Sequence, residues 1–270
     1  MLGLATDSLG FVRVLHALIW RLIGLMLAVS GYIITTVVCA VILVIIGPPL
    51  MCLPRGKRER YAIWSNVLVS RMVLHLLCGA RVRTVGGSNI PRDRAYLVVA
   101  NHRSWVDIPL VIATSRTQGI SKLLVFFMPF LGQIGYLAGA VYFHRFRNPS
   151  RKRALNSAMH LLERGVPLHV YPEGTRTRDG EIRDRVRLGL VMACWEVGVP
   201  CVPAALLGTE KTLPVKGFFL RPFQTLHIHF MKAVEPSDYA TALAFAEAVW
   251  SGVTEEVASM HREEASLDRA

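Results

Sequence analysis

Charged residues are absent from one long stretch near the N-terminus of this 270-residue sequence. Between Leu22 and Pro54 there is no Asp, Glu, Lys, Arg or His, whereas a helix needs only about 20 apolar residues to cross a bilayer. The run is too long for the core of a signal peptide, and no small-residue cleavage site follows it. It therefore predicts a retained membrane helix over residues 22–46, ended by the Gly-Pro-Pro at residues 47–49.

Basic residues are distributed unevenly on the two sides of this predicted helix. Two arginines precede it, whereas four basic residues follow it within residues 55–60. By the positive-inside rule, the C-terminal part of the chain is expected on the cytoplasmic side. A second apolar stretch, residues 61–78, is interrupted by polar residues, which predicts a helix that lies in the interface or folds back against the first. A helical hairpin that enters one leaflet is an alternative.

Several motifs that would indicate other functions are also missing. The five cysteines are odd in number and show no Cys-x-x-Cys spacing, which is typical of buried thiols in a reducing compartment. No nucleic-acid-binding motif accompanies the net charge of +12, so the charge favours anionic lipid surfaces and phosphate-bearing substrates. His227 and His229 have no Cys or acid at a ligand spacing, and no metal site is predicted.

Beyond residue 80, short apolar runs alternate with helical patterns. This alternation predicts an α/β fold with a mostly parallel sheet flanked by helices. Strands are predicted at residues 81–85, 96–100, 138–143, 168–171 and 201–207, and helices at about 104–113, 150–164 and 186–197. The chain is expected to divide into a membrane-anchoring helical region at residues 1–79 and a globular domain at residues 80–270.

A histidine and an aspartate directly follow the apolar strand at residues 96–100. Five residues rotate a helix by about 140°, so His102 and Asp107 cannot share one helical face, and the imidazole is expected before the helix. Ser104 and Asp107 have the spacing of a helix start, with Ser104 as N-cap and Asp107 near enough to reach the imidazole. Such a pair suits a general base that takes a proton from a hydroxyl. The alternative is an ordinary helix-end acid beside a strand-end histidine.

Other polar residues follow the ends of later predicted strands, where an open α/β sheet binds its ligands. One turn combines an acid, a backbone donor, a hydroxyl and a guanidinium in Glu173, Gly174, Thr175 and Arg176. Glycine lets the backbone approach a ligand, and the guanidinium can hold a phosphate with two hydrogen bonds; the alternative is a polar turn with an Arg–Glu ion pair. Arg145 follows the strand at residues 138–143, and Lys122 could reach a phosphate at the sheet edge unless it is simply solvated.

Taken in order, these segments resemble the glycerolipid acyltransferase family, whose best-known members are the 1-acylglycerol-3-phosphate O-acyltransferases. The four blocks of that family resemble residues 101–107 (Asn-His-x4-Asp), 141–145 (a hydrophobic strand ending in arginine), 173–176 (Glu-Gly-Thr-Arg) and 199–204 (a Val-Pro strand). Lys122 stands where relatives carry a phosphate-binding lysine before a Pro-x-x-Gly turn, here residues 129–132. The resemblance covers roughly residues 80–235.

The resemblance implies a role for each matching residue. It implies His102 as the catalytic base with Asp107 as its partner, Lys122 and Arg176 as phosphate ligands, and Arg145, Glu173, Gly174 and Thr175 as residues that shape the acceptor site. The implied reaction is acyl transfer from acyl-CoA or acyl-carrier protein to the sn-2 hydroxyl of 1-acylglycerol 3-phosphate, without a cofactor. Because a thioester is already activated, a base, a cation and an oxyanion donor suffice, and the sequence has no Gly-x-Ser-x-Gly nucleophile elbow.

The acceptor is open, because His144 and Val186 depart from the family pattern. Another lysolipid such as lyso-ornithine lipid, hydrolysis of the thioester, and a catalytically silent lipid-binding protein are the alternatives. The intact His102/Asp107 pair argues against the silent protein. We expect a membrane location, in the bacterial inner membrane or its equivalent, with an anionic lipid surface, a lysolipid and an acyl thioester as partners.

Overall fold

The computed structural model describes residues 3–123, 127, 132, 140–143, 148–177, 182–183, 185–215 and 220–267. Within these residues, seven strands form the sheet: β1 (Arg81–Val85), β2 (Leu97–Ala100), β3 (Gln118–Lys122), β4 (Val141–Phe143), β5 (Leu168–Val170), β6 (Cys201–Leu207) and β7 (Thr225–Phe230). The helices in this part of the chain are α1 (Gly3–Val41), α2 (Gly47–Met51), α3 (Arg55–Met72), α4 (Asp107–Ser115), α5 (Asn148–Glu163), α6 (Gly189–Glu196), α7 (Thr209–Thr212) and α8 (Ala242–Leu267).

The sheet is mixed but mostly parallel, with the strand order β1-β7-β6-β2-β5-β3-β4. Every neighbouring pair is parallel except β6 and β7. The predicted α/β class with a mostly parallel sheet is therefore confirmed. A parallel sheet needs helices on both faces, because its strands are buried on both sides.

Strand β2 shows how the two faces are covered. Leu97 and Val99 belong to a hydrophobic cluster with α5, α6 and α8, whereas Val98 and Ala100 belong to a second cluster with α4 and the segment around Leu74. Successive side chains of a strand point to opposite faces, so an unbroken apolar strand packs into both clusters. All four residues of β2 and all seven of β6 are buried.

Three central strands bring their carboxyl ends to one edge of the sheet. Leu97 at the start of β2 pairs with Leu168 of β5 on one side and with Cys201 of β6 on the other, and both pairings are parallel. The loops that follow β2, β5 and β6 therefore leave from the same edge. This geometry brings together residues that are distant in sequence, at the carboxyl ends of the strands, where an open α/β sheet binds its ligands.

The prediction that the Gly-Pro-Pro at residues 47–49 ends the first helix is wrong. Residues Ile42–Ile46 form a π-helical turn in which the Gly47 N–H donates to the Ile42 carbonyl, and α2 then continues to Met51. Both prolines lie in the first turn of α2, where a missing N–H is tolerated best. A wider turn ahead of them is a known way of bending a helix without breaking it.

The first helix is both apolar and packed against the globular part. Residues Gly10–Ile45 form a helical stretch of 36 residues that is long and apolar enough to cross a membrane, by length and composition. A Cβ added at Gly24 would lie 2.4 Å from the Leu220 carbonyl oxygen, and one added at Gly31 would lie 2.4 Å from Leu77 Cδ1. These two glycines therefore allow a close approach that a side chain would prevent. Helix α3 folds back against α1 and packs on α4.

Candidate active site

The predicted His/Asp pair lies in the loop between β2 and α4. His102 Nδ1 is 2.8 Å from Asp107 Oδ2, and the Asp107 side chain is fully buried while that of His102 is 14% exposed. Among the described residues, no group hydrogen-bonds to His102 Nε2. One ring nitrogen is thus held by a carboxylate, and the other is left to exchange a proton with a ligand.

The Asp107 carboxylate accepts three further hydrogen bonds. Its Oδ2 accepts from the backbone N–H groups of Arg103 at 2.6 Å and Ser104 at 2.7 Å. Its Oδ1 accepts from the Thr209 hydroxyl, with 2.5 Å between the two oxygens. An ionised carboxylate can be buried when its oxygens are bound by donors in this way.

The predicted helix start at Ser104 is wrong, because α4 begins three residues later, at Asp107. Ser104 still makes the bonds of the predicted cap: its N–H donates to Asp107 Oδ2 at 2.7 Å, and its hydroxyl oxygen accepts the Val106 N–H at 3.3 Å. The same hydroxyl donates to the Leu213 carbonyl at 2.8 Å. The loop wraps around the Asp107 carboxylate instead of continuing the helix backwards. The prediction that Asp107 reaches back to the imidazole is nevertheless confirmed by the 2.8 Å contact.

The turn that follows β5 holds His102 on its other side. Glu173 Oε1 accepts the His102 backbone N–H at 2.9 Å, and the Thr177 N–H donates to the His102 carbonyl at 3.1 Å. The Tyr171 ring stacks on the imidazole, with 4.3 Å between centroids and 16° between planes. Gly174, at φ +65°, makes the left-handed turn that this path needs. The backbone and ring of His102 are thus both fixed by one neighbouring turn.

The acid and the guanidinium of that turn are not paired with each other. Glu173 is buried against His102, and burial raises the pKa of its carboxyl group. The Arg176 guanidinium lies instead over the Trp105 ring, 4.9 Å from its centroid, and partial burial lowers the pKa of this group. The alternative of a simple Arg–Glu ion pair is therefore wrong for this turn. A cation stacked on an aromatic ring keeps its hydrogen-bond donors for an anion.

The structure describes the other predicted site residues only in part. Thr175 is partly buried in the same turn. Lys122 is the last residue of β3, the strand next to β5, and its side chain lies outside the described part of the structure. Arg145 and residues 129–131 also lie outside the described residues. The structure therefore brings His102, Asp107 and the Glu173 turn together, whereas Lys122 is placed by its backbone alone.

Three residues beside the site were not predicted from the sequence. Tyr171 covers one face of the imidazole, Thr209 binds Asp107, and the Arg187 side chain lies near Gly174, where an added Cβ would be 3.6 Å from Arg187 Nη1. Thr209 follows the end of β6, so the strand-end rule that pointed to His102 could have found it. Nothing in the sequence indicates the position of Arg187.

An apolar cavity of about 410 Å³ lies beside the His/Asp loop. Trp105 and Val106 of that loop form part of its wall. Helix α3 and the turn that follows it, helix α4, and the edges of β3 and β4 supply most of the rest, and Tyr32 of α1 also contributes. Because five or more separate elements build it, no local sequence pattern could have indicated this cavity. It can hold an apolar chain beside the loop that carries His102.

A family model described as Acyltransferase matches residues 81–207. This range includes the His/Asp loop, the Glu173 turn and strands β1 to β6. Over these residues, which make up just under half of the chain, the chain resembles the acyltransferase family. The resemblance to acyltransferases inferred from the sequence is therefore confirmed.

The acyltransferase match extends to individual relatives. The chain is 28% identical over 219 residues to the chloroplastic 1-acyl-sn-glycerol-3-phosphate acyltransferase LPAT1 of Arabidopsis thaliana, covering 78% of this chain and 59% of that protein. It is 34% identical over 147 residues to the lyso-ornithine lipid O-acyltransferase of Pseudomonas aeruginosa, covering 54% of this chain and 56% of that protein. The chain spans about half the length of the curated relatives it matches.

A solved structure shares the fold of this chain. It is the crystal structure of the 1-acyl-sn-glycerophosphate (LPA) acyltransferase PlsC from Thermotoga maritima, with a TM-score of 0.75 and 24% sequence identity. The match covers 90% of this chain and 98% of that chain, so the shared architecture includes the sheet and at least part of the N-terminal helical region.

Glu173 gives a direct test of how the site is held. Glu173→Ala should lower the free energy of unfolding by about 1–3 kcal/mol, because the His102 N–H loses its acceptor. Glu173→Gln keeps an oxygen at that position and should lose less. Burial raises the pKa of Glu173, so ionisation of this carboxyl group works against the native state. The wild type should therefore lose stability relative to Glu173→Gln as pH rises from the ordinary pKa of glutamate to the raised pKa of Glu173. Chemical denaturation at mildly acidic and neutral pH measures both effects; equal losses for the two variants would contradict the hydrogen bond.

Proposed function

We propose that this protein transfers a fatty acyl chain from acyl-CoA or acyl-carrier protein to the sn-2 hydroxyl of 1-acylglycerol 3-phosphate, forming phosphatidic acid. The observation that carries the proposal is the buried Asp107 carboxylate, 2.8 Å from His102 Nδ1, with His102 Nε2 unbound by any described residue. A histidine oriented in this way suits a general base for a hydroxyl. The apolar cavity and the Arg176 guanidinium beside it are suited to a substrate with a long chain and an anionic head.

The proposed reaction needs one proton carrier and no covalent enzyme intermediate. His102 Nε2 takes the proton of the acceptor hydroxyl while the hydroxyl oxygen attacks the thioester carbonyl carbon. Asp107 stabilises the imidazolium that forms and keeps the ring in the tautomer with a proton on Nδ1. The tetrahedral intermediate then breaks its C–S bond, and the departing thiolate takes the proton back from His102. The base is thereby regenerated.

The head group is proposed to bind at the turn that follows β5. Arg176 would donate hydrogen bonds to the phosphate, and Gly174 and Thr175 would shape the same site. Lys122 and Arg145 are proposed as further phosphate-binding and acceptor-site residues, because each follows or ends a strand at this edge. A guanidinium held over Trp105 already has part of its side-chain freedom restricted, which lowers the entropy cost of binding.

The acyl chain is proposed to occupy the apolar cavity. Trp105 and Val106 contribute to its wall and belong to the same loop as His102, so a chain in the cavity has its reactive end close to the imidazole. Burial of methylene groups is favourable by about 0.8 kcal/mol each, which is enough to hold a long chain by this contact alone. The chemistry and the chain site thus share one loop.

A second acceptor is a separate candidate. The relative from Pseudomonas aeruginosa, which is 34% identical over 147 residues, is named a lyso-ornithine lipid O-acyltransferase. Transfer to that acceptor would use the same His102 base but a zwitterionic head group at the Arg176 turn. A panel of lysolipids, with product formation measured by mass spectrometry, separates the two acceptors.

The base assignment predicts a large loss of acyl transfer. His102→Ala should lower turnover by about 10²–10⁴-fold, and Asp107→Asn should also be severely impaired because it favours the wrong tautomer. The matched control is His229→Ala, which breaks another histidine–carboxylate pair, His229 Nδ1 to Glu256 Oε1 at 2.7 Å. Purified proteins in detergent, with melting temperatures compared first, give the measurement. Near-wild-type turnover of His102→Ala would exclude this base.

The phosphate assignment predicts a selective effect on the acceptor. Arg176→Ala and Lys122→Ala should each raise KM for a phosphate-bearing lysolipid roughly ten- to hundredfold, because a charge-assisted hydrogen bond is lost, while KM for the acyl donor changes little. Lys232→Ala is the control, because Lys232 is an exposed cation away from the site. The N–H of its neighbour Met231 donates to the Pro203 carbonyl, near the end of β6 that is opposite the site. Steady-state kinetics with each substrate varied give both constants. Equal increases for the acceptor and the donor would contradict the assignment.

The N-terminal helices at residues 1–79 are proposed to anchor the domain at residues 80–270 to the cytoplasmic leaflet. Gly24 and Gly31 lie within the apolar stretch, yet they pack against Leu220 and Leu77. If α1 crossed the bilayer, the segments around Leu220 and Leu77 would also have to lie inside the bilayer. This packing favours the one-leaflet alternative. Tags at both chain ends should then be cleaved by protease from the same, cytoplasmic face of sealed vesicles. Cleavage of the two tags from opposite faces would show that α1 spans the bilayer.

A further inference from the structure

The Asp107 carboxylate has one oxygen whose partner lies far away in the sequence. Oδ2 faces the imidazole, whereas Oδ1 accepts from the Thr209 hydroxyl at 2.5 Å. Both Asp107 and Thr209 are fully buried. Thr209 lies at the start of α7, outside every residue block that pointed to the site, and it contacts Asp107 rather than the imidazole.

The fold places Thr209 beside Asp107. Thr209 follows β6, the neighbour of β2, and the two strands are tied by Asn101, whose side chain bonds the Leu206 carbonyl at 3.0 Å and N–H at 2.8 Å. Gly208 then turns the chain at φ +90°, and a Cβ there would lie 2.4 Å from the Thr225 carbonyl oxygen. Only glycine fits this turn, and the turn directs the Thr209 hydroxyl at Asp107.

We propose that Thr209 is a positioning residue for the His102/Asp107 pair: its hydroxyl fixes the plane of the carboxylate and takes up part of its charge. The inference rests on the proposed function. With Oδ1 bound to Thr209, Oδ2 is the oxygen presented to His102 Nδ1. Without that donor, Oδ1 is buried and unpaired, and the full carboxylate charge acts on the imidazolium.

Loss of the Thr209 hydroxyl should change the pH dependence of activity. A less compensated carboxylate stabilises the protonated imidazole, so the base is lost at a higher pH and the acidic limb of the kcat/KM profile moves upward. Among the described residues, the titratable side chains around the His102/Asp107 pair are Glu173, Tyr171, His169, Arg103 and Arg176. Burial lowers the pKa of His169 to about 3, and all five side chains are unchanged in the Thr209 variants, so a shift between variants comes from Asp107.

The experiment compares an isosteric variant with a conservative one. In Thr209→Val, plateau kcat/KM should fall roughly ten- to hundredfold and the acidic limb should move to higher pH, because a hydrogen bond to a charged group is lost. Thr209→Ser keeps the hydroxyl and should restore both. Thr212→Val is the matched control, since this buried hydroxyl in the same short helix has no hydrogen-bond partner among the described residues. That variant should leave the profile in place.

A second variant and a second measurement cover loss of folding. Thr209→Ala also lacks the donor, and it replaces Thr209→Val if the latter does not fold. In protein labelled with ¹⁵N-histidine, the His102 resonances should move in the Val and Ala variants and stay in place in Thr209→Ser. An unmoved acidic limb with unmoved resonances, even with reduced activity, would overturn the inference. If wild type transfers no acyl chain at all, the proposed function fails instead, and the resonances alone still test the contact.

Discussion

The Asp107 carboxylate is fully buried, and the rest of the site depends on how that charge is satisfied. Removing an ionised group from water costs several kcal/mol unless donors replace the lost hydration. Here the donors come from the imidazole, two backbone N–H groups of the same loop, and a hydroxyl that follows a different strand. The loop conformation, the start of α4 and the pairing of β2 with β6 are therefore linked by one buried charge.

The same constraint explains why the strand order matters for function. Parallel pairing of β6, β2 and β5 brings three loops to one edge, and each loop binds a different part of the His102/Asp107 pair. The loop after β6 supplies Thr209, and the turn after β5 supplies Glu173 and the stacked Tyr171. A base enclosed on these sides keeps its orientation without help from a ligand. Its preorganisation is set during folding.

Apolar packing then connects this polar cluster to the N-terminal helices. Helix α3 folds back between α1 and α4, and the cavity lined by these elements adjoins the His/Asp loop at Trp105. Because Trp105 also supports Arg176, one aromatic side chain borders both the apolar cavity and the cationic turn. A substrate with an apolar chain and an anionic head could therefore bind to both at once, with its reactive group near His102.

Local sequence patterns were enough to predict the α/β class, the apolar N-terminal region, the contact between His102 and Asp107, and the turn that carries Glu173 and Arg176. Each follows from a local pattern, since hydrophobic period, charge-free length and residue spacing act over a few turns of chain. Tertiary packing, by contrast, underlies the bond from the Ser104 hydroxyl to the Leu213 carbonyl and the continuation of the helix past the Gly-Pro-Pro at residues 47–49. It alone also brought Thr209 to a carboxylate 102 residues away and enclosed the cavity. These outcomes depend on strand order and on packing between distant elements, which local spacing does not encode.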